Sequence, residues 1–179
     1  LGLDALYGEE GYTFVERVGA RPTLELNGVY GGFQGEGSKT VLPAKAMAKI
    51  SCRLVANQTP QRVYELVKAY VASITPPGVT AEVRLLNIGD PAYIDRSREE
   101  VKAAERAYEK GWGKRPIFMR TGGTLPILAT FRRELGIDSL MLDYGLITDG
   151  AHGPDEHYDL DMFHMGIATS IAYLYEFGK

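Results

Sequence analysis

The sequence predicts a mixed α/β fold, and two kinds of periodicity lead to this prediction. Alternating apolar and polar residues, typical of half-buried strands, occur at 23–32 and 46–55. Apolar residues spaced three and four positions apart, typical of amphipathic helices, follow at 60–74 and 97–113. Apolar residues make up 45% of the 179 residues and charged residues 24%, which is enough apolar material for a buried core.

The first half of the chain is predicted to form strand, strand, helix and strand, after an acidic and partly helical lead-in. The first strand begins near Thr23, and a glycine-dense loop separates it from the second strand. Thr59 and Pro60 suit the start of the helix, and a third strand is expected at 79–86. This order is a split β-α-β unit that lacks one strand and one helix of the ferredoxin-like pattern.

The second half is predicted to alternate short strands with helices, as in an α/β layer. Short apolar strands are expected at 117–119 and 139–142. Three helices are expected: one capped by Ser97 or Asp95, one from about residue 125 to Gly136, and one capped by Asp159 or Asp161. A change in composition near residue 95 divides the chain into a lead-in at 1–20, an insert-like domain at 21–94 and a closing segment at 95–179.

Charge and composition exclude several classes of partner. The net charge is −3 and there is no long basic run, so neither a nucleic acid nor an acidic membrane surface is expected as a partner. No apolar stretch reaches about 18 residues, so no membrane span is expected. Cys52 is the single cysteine, which excludes an internal disulfide and favours a reducing, cytoplasmic location. Its position on the apolar side of a strand favours a buried thiol over a nucleophile.

The loop at 149–157 is the first candidate site, because it holds two histidines and three acidic residues between a strand and a helix. Loops in this position often carry ligand sites in α/β folds, and His152 is a candidate metal ligand. The alternative is a solvated loop whose Asp155 and Glu156 help the following helix dipole. A mononuclear zinc site made from His152, Glu156 and His157 is a further alternative, although it requires a tight loop.

Two further segments could bind anions. Arg120 precedes a glycine pair at 122–123 and Thr124, and the backbone N–H groups at this helix start could hold a carboxylate. The alternative is that Thr124 is a helix N-cap that follows a permissive glycine turn. Thr40 follows the glycine-dense loop, and Arg53 lies on the polar face of its strand. An arginine fork suits a carboxylate, but an exposed strand position is the favoured explanation of Arg53 when it is taken alone.

Four separated motifs together resemble the co-catalytic zinc exopeptidases, which include cytosolic non-specific dipeptidases, carnosinases, succinyl-diaminopimelate desuccinylases and acetylornithine deacetylases. The resemblance covers nearly all of residues 20–177, and the dipeptidase-like subgroup is the most similar. The motifs are Gly35-x-Gly37-x-Lys39-Thr40-Val41-x-Pro43; Lys49-Ile50-Ser51-x-Arg53-Leu54-Val55-x-Asn57-x-Thr59-Pro60; Arg120-x-Gly122-Gly123-Thr124-x-Pro126; and Gly150-Ala151-His152-x-Pro154-Asp155-Glu156.

The resemblance implies a role for each matched residue. His152 is expected to ligate one of two zinc ions per active site, with cobalt or manganese as alternatives. Arg53 is expected to hold the terminal carboxylate of a peptide or N-acyl amino-acid substrate, and Thr124 with the Gly123 backbone to contact that substrate. Thr40 is expected to reach the site of a neighbouring subunit in a homodimer. Arg120 belongs to the same motif as Thr124 without a defined role.

The sequence also departs from the family. Thr121 and Thr124 replace a usual glutamate and serine, and Asp155 replaces a usual asparagine. No histidine precedes His152, so the family's His-x-Asp metal motif and its insert-domain histidine are not found. Its general base, the first member of a Glu-Glu pair, is not found either, because Glu9-Glu10 and Glu99-Glu100 do not stand in a suitable setting. The expectation is therefore an incomplete ferredoxin-like lid and dimerisation domain, followed by the closing segment of an α/β zinc exopeptidase domain. The chain would be the C-terminal part of a longer dipeptidase and inactive alone; a stand-alone dimerisation or binding module is the alternative.

Overall fold

A computed structural model describes residues 2, 4–121 and 125–179. Its described elements are helices and one small sheet, so the predicted mixed α/β class is confirmed. In chain order they are α1 (Phe14–Ala20), β1 (Thr23–Gly31), β2 (Ala46–Arg53), α2 (Pro60–Ile74), α3 (Glu99–Trp112), α4 (Pro126–Leu135), a 3-10 helix (Ile147–Asp149) and α5 (Leu160–Phe177).

The two strands pair in antiparallel fashion, with Thr23 opposite Arg53 and Glu25 opposite Ser51. The register shifts between Leu26 and Gly28, so Asn27 is the extra residue of a β-bulge. Both predicted strands are confirmed. Because side chains alternate across a strand, Thr23, Glu25, Ser51 and Arg53 share one face of this hairpin.

The helices α1, α5 and α3 begin in three different ways. The Thr13 hydroxyl accepts from the Glu16 backbone N–H and the Glu16 carboxylate accepts from the Thr13 N–H, a reciprocal box that begins α1. Asp159 caps α5 by accepting from the Met162 N–H, as one of the two alternatives predicted. For α3 the N-cap position is Arg98, so the predicted cap by Ser97 or Asp95 is wrong. The Asp95 carboxylate accepts from the Ser97 N–H, just before the helix begins.

Three predicted strands, at 79–86, 117–119 and 139–142, are not strands in the described structure. An alternating pattern predicts a strand only when a neighbouring strand supplies ladder hydrogen bonds. Among the described residues the sheet has two strands, so these segments have no such ladder. One of them still contacts a helix, because the Tyr64 hydroxyl on α2 donates to the Val83 carbonyl at 3.1 Å.

The chain divides into two compact units, each described here by itself. The first unit is Leu1–Ala92 with Arg120–Ala129, and the second is Tyr93–Met119 with Thr130–Lys179. The domain boundary expected after residue 94 stays a prediction.

In the second unit the buried core lies between α3 and α5. Small residues allow this close approach, since a Cβ added to Gly111 would lie 2.1 Å from the Thr169 hydroxyl oxygen. The Glu176 side chain is 3% exposed and pairs with Arg106, Lys110 and Lys179. The pair is therefore joined by close packing and by an ionic cluster. The fully or nearly buried side chains of α3 are Val101, Ala103, Ala104 and Ala107.

Candidate functional site

The polar face of the hairpin surrounds Arg53 with hydrogen-bonding groups. The Glu25 carboxylate accepts from the Thr23 hydroxyl at 3.0 Å and from the Ser51 hydroxyl at 3.2 Å, so both of its oxygens are engaged. The Arg53 Nε lies 3.9 Å from the Glu25 Oε1. The two side chains are 44% and 42% exposed, so this ion pair is open to solvent and weakly stabilising.

Cys52 lies between Ser51 and Arg53 in sequence and is half-buried. Burial raises the pKa of its thiol, and the nearby Glu25 carboxylate raises that pKa further. A raised pKa leaves little thiolate near neutral pH, so the structure favours the predicted inert thiol over a nucleophile.

Thr40 lies on an exposed turn after the glycine-dense loop. The Val41 N–H donates to the Lys39 carbonyl at 2.9 Å, which places Thr40 at the centre of a three-residue turn. The Lys39 ammonium lies 5.6 Å from the centre of the Phe33 ring, a cation–π distance. The turn therefore presents the Thr40 side chain on the surface of the first unit.

Arg120 is exposed, and its backbone contacts α1 in the first unit. A Cβ added to Gly19 would lie 2.1 Å from the Arg120 carbonyl oxygen, so this approach requires a glycine. The expected substrate contacts at Gly123 and Thr124 lie outside the described residues.

The loop that carries His152 is closed by backbone hydrogen bonds. The His157 N–H donates to the Asp149 carbonyl at 3.0 Å, and the Gly153 N–H donates to the Gly150 carbonyl at 2.8 Å. His152 and Asp155 both have left-handed backbones, with φ of 64° and 61°. Such conformations are costly for residues other than glycine and persist where the surrounding structure holds them. The closed loop presents His152 at the surface of the second unit.

Asp149 anchors the base of this loop; from the sequence it counts only as one of the acidic residues of the loop, with no role of its own. It is 6% exposed, and its Oδ2 accepts from the Leu146 N–H at 2.8 Å. Its Oδ1 is buried without a hydrogen-bond partner in the described structure. The sequence feature that indicates a structural role for Asp149 is the Asp-Gly step before the histidine, which is typical of a turn. Glu25 was missed, because its closeness to Arg53 depends on the strand register.

The donor groups that the structure brings together among its described residues do not by themselves form a metal site. Across residues 4–121 and 125–179, no three His, Cys, Asp or Glu side chains form a group that could hold a metal ion. The alternative site of His152, Glu156 and His157 is therefore not formed. The His157 Nδ1 lies 3.0 Å from the Asp155 carbonyl oxygen, and the His164 ring packs edge-on against Phe163. His152 can be one ligand of a metal site, but a zinc ion needs about four.

The predicted site residues lie in two separate units. Arg53, Thr40 and Arg120 belong to the first unit and His152 to the second. The structure brings Arg53 together with Glu25, Ser51 and Thr23, none of which the sequence identified as site residues.

Comparison with known sequences gives consistent matches. A protein-family model described as the peptidase dimerisation domain matches residues 1–79. The Cys-Gly metallodipeptidase of Candida albicans is 36% identical over 162 residues, which are 88% of this chain and 33% of the relative. The Beta-Ala-His dipeptidase of Mus musculus is 27% identical over 169 residues, with the same two shares. The chain thus spans about a third of the length of these relatives.

Comparison with solved structures agrees. The dipeptidase Dug1p from Saccharomyces cerevisiae matches with a TM-score of 0.75 and 32% identity, over 90% of this chain and 34% of that one. The M20 family metallo-carboxypeptidase Sso-CP2 from Sulfolobus solfataricus matches with a TM-score of 0.83 and 29% identity, over 97% of this chain and 39% of that one. No described helix combines the length and apolar composition that crossing a membrane needs.

Proposed function

We propose that the chain serves in a zinc-dependent dipeptidase of the M20 metallopeptidase type. The premise is the match of residues 1–79 to the peptidase dimerisation domain, together with the similarity to a metallodipeptidase and to an M20 family metallo-carboxypeptidase. The observation that carries the proposal is the 36% identity with a Cys-Gly metallodipeptidase over 162 residues, since that match includes most of both units. The substrate class is a small peptide, with an N-acyl amino acid as the related alternative. The reaction is hydrolysis of an amide bond.

The first unit binds and orients the substrate in this proposal. Arg53 holds the terminal carboxylate, because a guanidinium forms a two-point pair with it. Thr124 and the Gly123 backbone contact the substrate beside Arg120. Thr40, on its exposed turn, reaches the site of a second subunit in a homodimer.

His152 contributes one metal ligand from the second unit. The zinc pair, when bound, would supply a hydroxide at neutral pH and polarise the scissile carbonyl. The part of this chain in that chemistry is to hold the imidazole at the surface of a closed loop, with Asp149 fixing the base of the loop. Ligands and a general base from outside these 179 residues complete the site, because the chain has three histidines and none before His152. The chain alone is therefore inactive and binds zinc weakly.

A chimera tests this proposal directly. The matched third of the Candida albicans Cys-Gly metallodipeptidase would be replaced by this chain, and hydrolysis of Cys-Gly would be assayed together with zinc content. We expect zinc-dependent hydrolysis by the chimera, loss of at least about a hundredfold in activity for His152→Ala, which removes a proposed ligand, and no hydrolysis by the 179-residue chain. His164→Ala is the matched control, since His164 packs against Phe163.

Two outcomes would contradict the proposal. A folded chimera that holds zinc and hydrolyses no peptide would refute the dipeptidase function. Hydrolysis by the purified 179-residue chain, abolished by His152→Ala, would refute the statement that the chain is inactive alone. Circular dichroism and thermal melting of each protein separate these results from a failure to fold.

A second candidate function is a dimerisation or binding module without catalysis. The match of residues 1–79 to the peptidase dimerisation domain favours it, because this match includes none of the three histidines. We place the protein in the cytoplasm under either function. This location agrees with its single cysteine. Neither a nucleic acid nor a membrane is expected among its partners.

A further inference from the structure

The Glu25 carboxylate is the most closely held acidic group beside a proposed substrate-binding residue. Thr23 and Ser51 donate to its two oxygens at 3.0 and 3.2 Å, one from each strand of the hairpin. Two donors on two oxygens fix the plane of the carboxylate against the sheet. Its negative charge therefore has a defined position on the same face as Arg53.

The distance between the Arg53 Nε and the Glu25 Oε1 indicates electrostatic attraction without a direct hydrogen bond between these two atoms. The Arg53 Nε and the Glu25 Oε1 are 3.9 Å apart, which is longer than a hydrogen bond and within the range of an ion pair. Both side chains are more than two-fifths exposed, so their mutual attraction is weak and screened. The charge of Glu25 therefore stays beside Arg53 as an electrostatic neighbour.

Besides Arg53, Lys49 is the charged residue of β2 on this face. Lys49 pairs with Gly28 on the far side of the bulge, two positions along β2 from Ser51. Two positions along a strand is about 7 Å. The effect of Glu25 extends to Cys52, where its charge is the second cause, after burial, of the raised thiol pKa.

We propose that Glu25 is a specificity-determining residue that makes the Arg53 site reject peptides with an acidic C-terminal residue and prefer those with a neutral or basic one. This inference rests on the proposed role of Arg53. A side chain branches from the carbon next to the carboxyl group that Arg53 holds, so a charge at its end lies near Glu25. A second carboxylate is repelled there and an ammonium is attracted.

The experiment follows dipeptide binding at Arg53 by nitrogen NMR of its Nε–H group in the 179-residue chain. Alanyl-lysine and alanyl-aspartate are the two probes, titrated into the wild-type chain and into Glu25→Gln at low salt. We expect alanyl-lysine to bind about three- to fivefold more tightly than alanyl-aspartate to the wild-type chain, and the ratio to fall to about one in Glu25→Gln. Added salt shrinks the wild-type ratio, because the Debye length is about 10 Å at 0.1 M.

Two further variants separate a specific effect from a change in folding. Glu25→Asp keeps the charge and is expected to keep the preference for alanyl-lysine. Glu65→Gln on α2 removes an equal charge from the same unit and is expected to leave the ratio unchanged. Dispersed amide spectra of all variants show that the hairpin is intact.

The outcomes distinguish failure of this inference from failure of the proposed function. An equal preference in the wild-type chain and in Glu25→Gln overturns the role of Glu25 and leaves Arg53 as the carboxylate site. No shift of the Arg53 resonance with either dipeptide in any protein overturns the proposed role of Arg53 and this inference with it.

Discussion

At the scale of single residues, the loop that presents His152 depends on one buried side chain. Asp149 holds the Leu146 N–H through its carboxylate and the His157 N–H through its own backbone carbonyl. Its second carboxylate oxygen is buried without a donor in the described structure. A buried acceptor without a partner costs free energy, so Asp149 stabilises the loop at some expense to the stability of the unit.

Substitutions at Asp149 separate these two contributions. Asp149→Ala removes the acceptor for the Leu146 N–H, and we expect the amides of 150–158 to exchange hydrogen about fivefold to a hundredfold faster, because a lost buried hydrogen bond is worth about 1–3 kcal/mol. Asp149→Asn keeps one oxygen for this contact and removes the charge, so exchange should stay near the wild-type rate. Equal exchange in the Ala variant and the wild-type chain, measured by NMR, would show that Asp149 does not hold the loop.

At the scale of helices and strands, local sequence patterns predicted most elements. Whether the remaining segments form strands depends on a neighbouring strand with which they can pair. The alternation in β1 and β2 and the helical periodicity of α2, α3 and α5 predicted these elements, since each pattern is local. The segment 79–86 has the same alternation and is not a strand, because strand formation depends on a neighbour that the pattern does not contain. For the same reason, the sequence indicated Arg53 and missed Glu25, which only the register places beside it.

The pairing of α3 with α5 makes a pH-dependent contribution to stability. Hydrogen bonds from Lys110, Lys179 and Arg106, in that order of effect, lower the pKa of Glu176 to about 2. A lowered folded-state pKa means that the ionised form is stabilised by folding, so this stability is complete above the ordinary value of 4.5 and is lost as the pH falls toward 2.

Thermal melting between pH 6 and pH 2 tests this contribution. We expect the melting temperature of the wild-type chain to fall below about pH 4.5 and that of Glu176→Gln to be lower at pH 6 with a flatter decline. The decline does not vanish, because Arg98 also lowers the pKa of Glu100 to about 2. Glu109→Gln on α3 is the matched control. A Glu176→Gln curve parallel to the wild-type curve would refute this account.

At the scale of the whole molecule, large apolar side chains remain exposed even on α5, which packs against α3. The helix α5 is apolar over most of its circumference, yet Phe163 is 50% exposed and Leu174 is 70% exposed. A helix that is apolar on all sides is usually buried on all sides. This agrees with the proposed assembly into a larger dimeric enzyme.

The oligomeric state tests the proposed homodimer. We expect the 179-residue chain to be a dimer by light scattering at micromolar concentration, through the residues that match the peptidase dimerisation domain. A separate chain of residues 93–179 at the same concentrations is the comparison, and it should lack this dimer. A monomer at all concentrations for the full chain would contradict both the homodimer and the dimerisation-module alternative.

The β-bulge in β1 has a consequence for how this strand can change in evolution. Asn27 is the extra residue, so the side chains after it alternate one position out of step with those before it. Deleting this one residue would remove the bulge and leave the side chains of Gly28–Gly31 on their present faces, because their partners on β2 would stay the same. Replacing Asn27 by another residue would leave both faces as they are. Position 27 therefore tolerates both substitution and deletion, whereas an insertion or deletion at another position of β1 would exchange the faces of the residues beyond it.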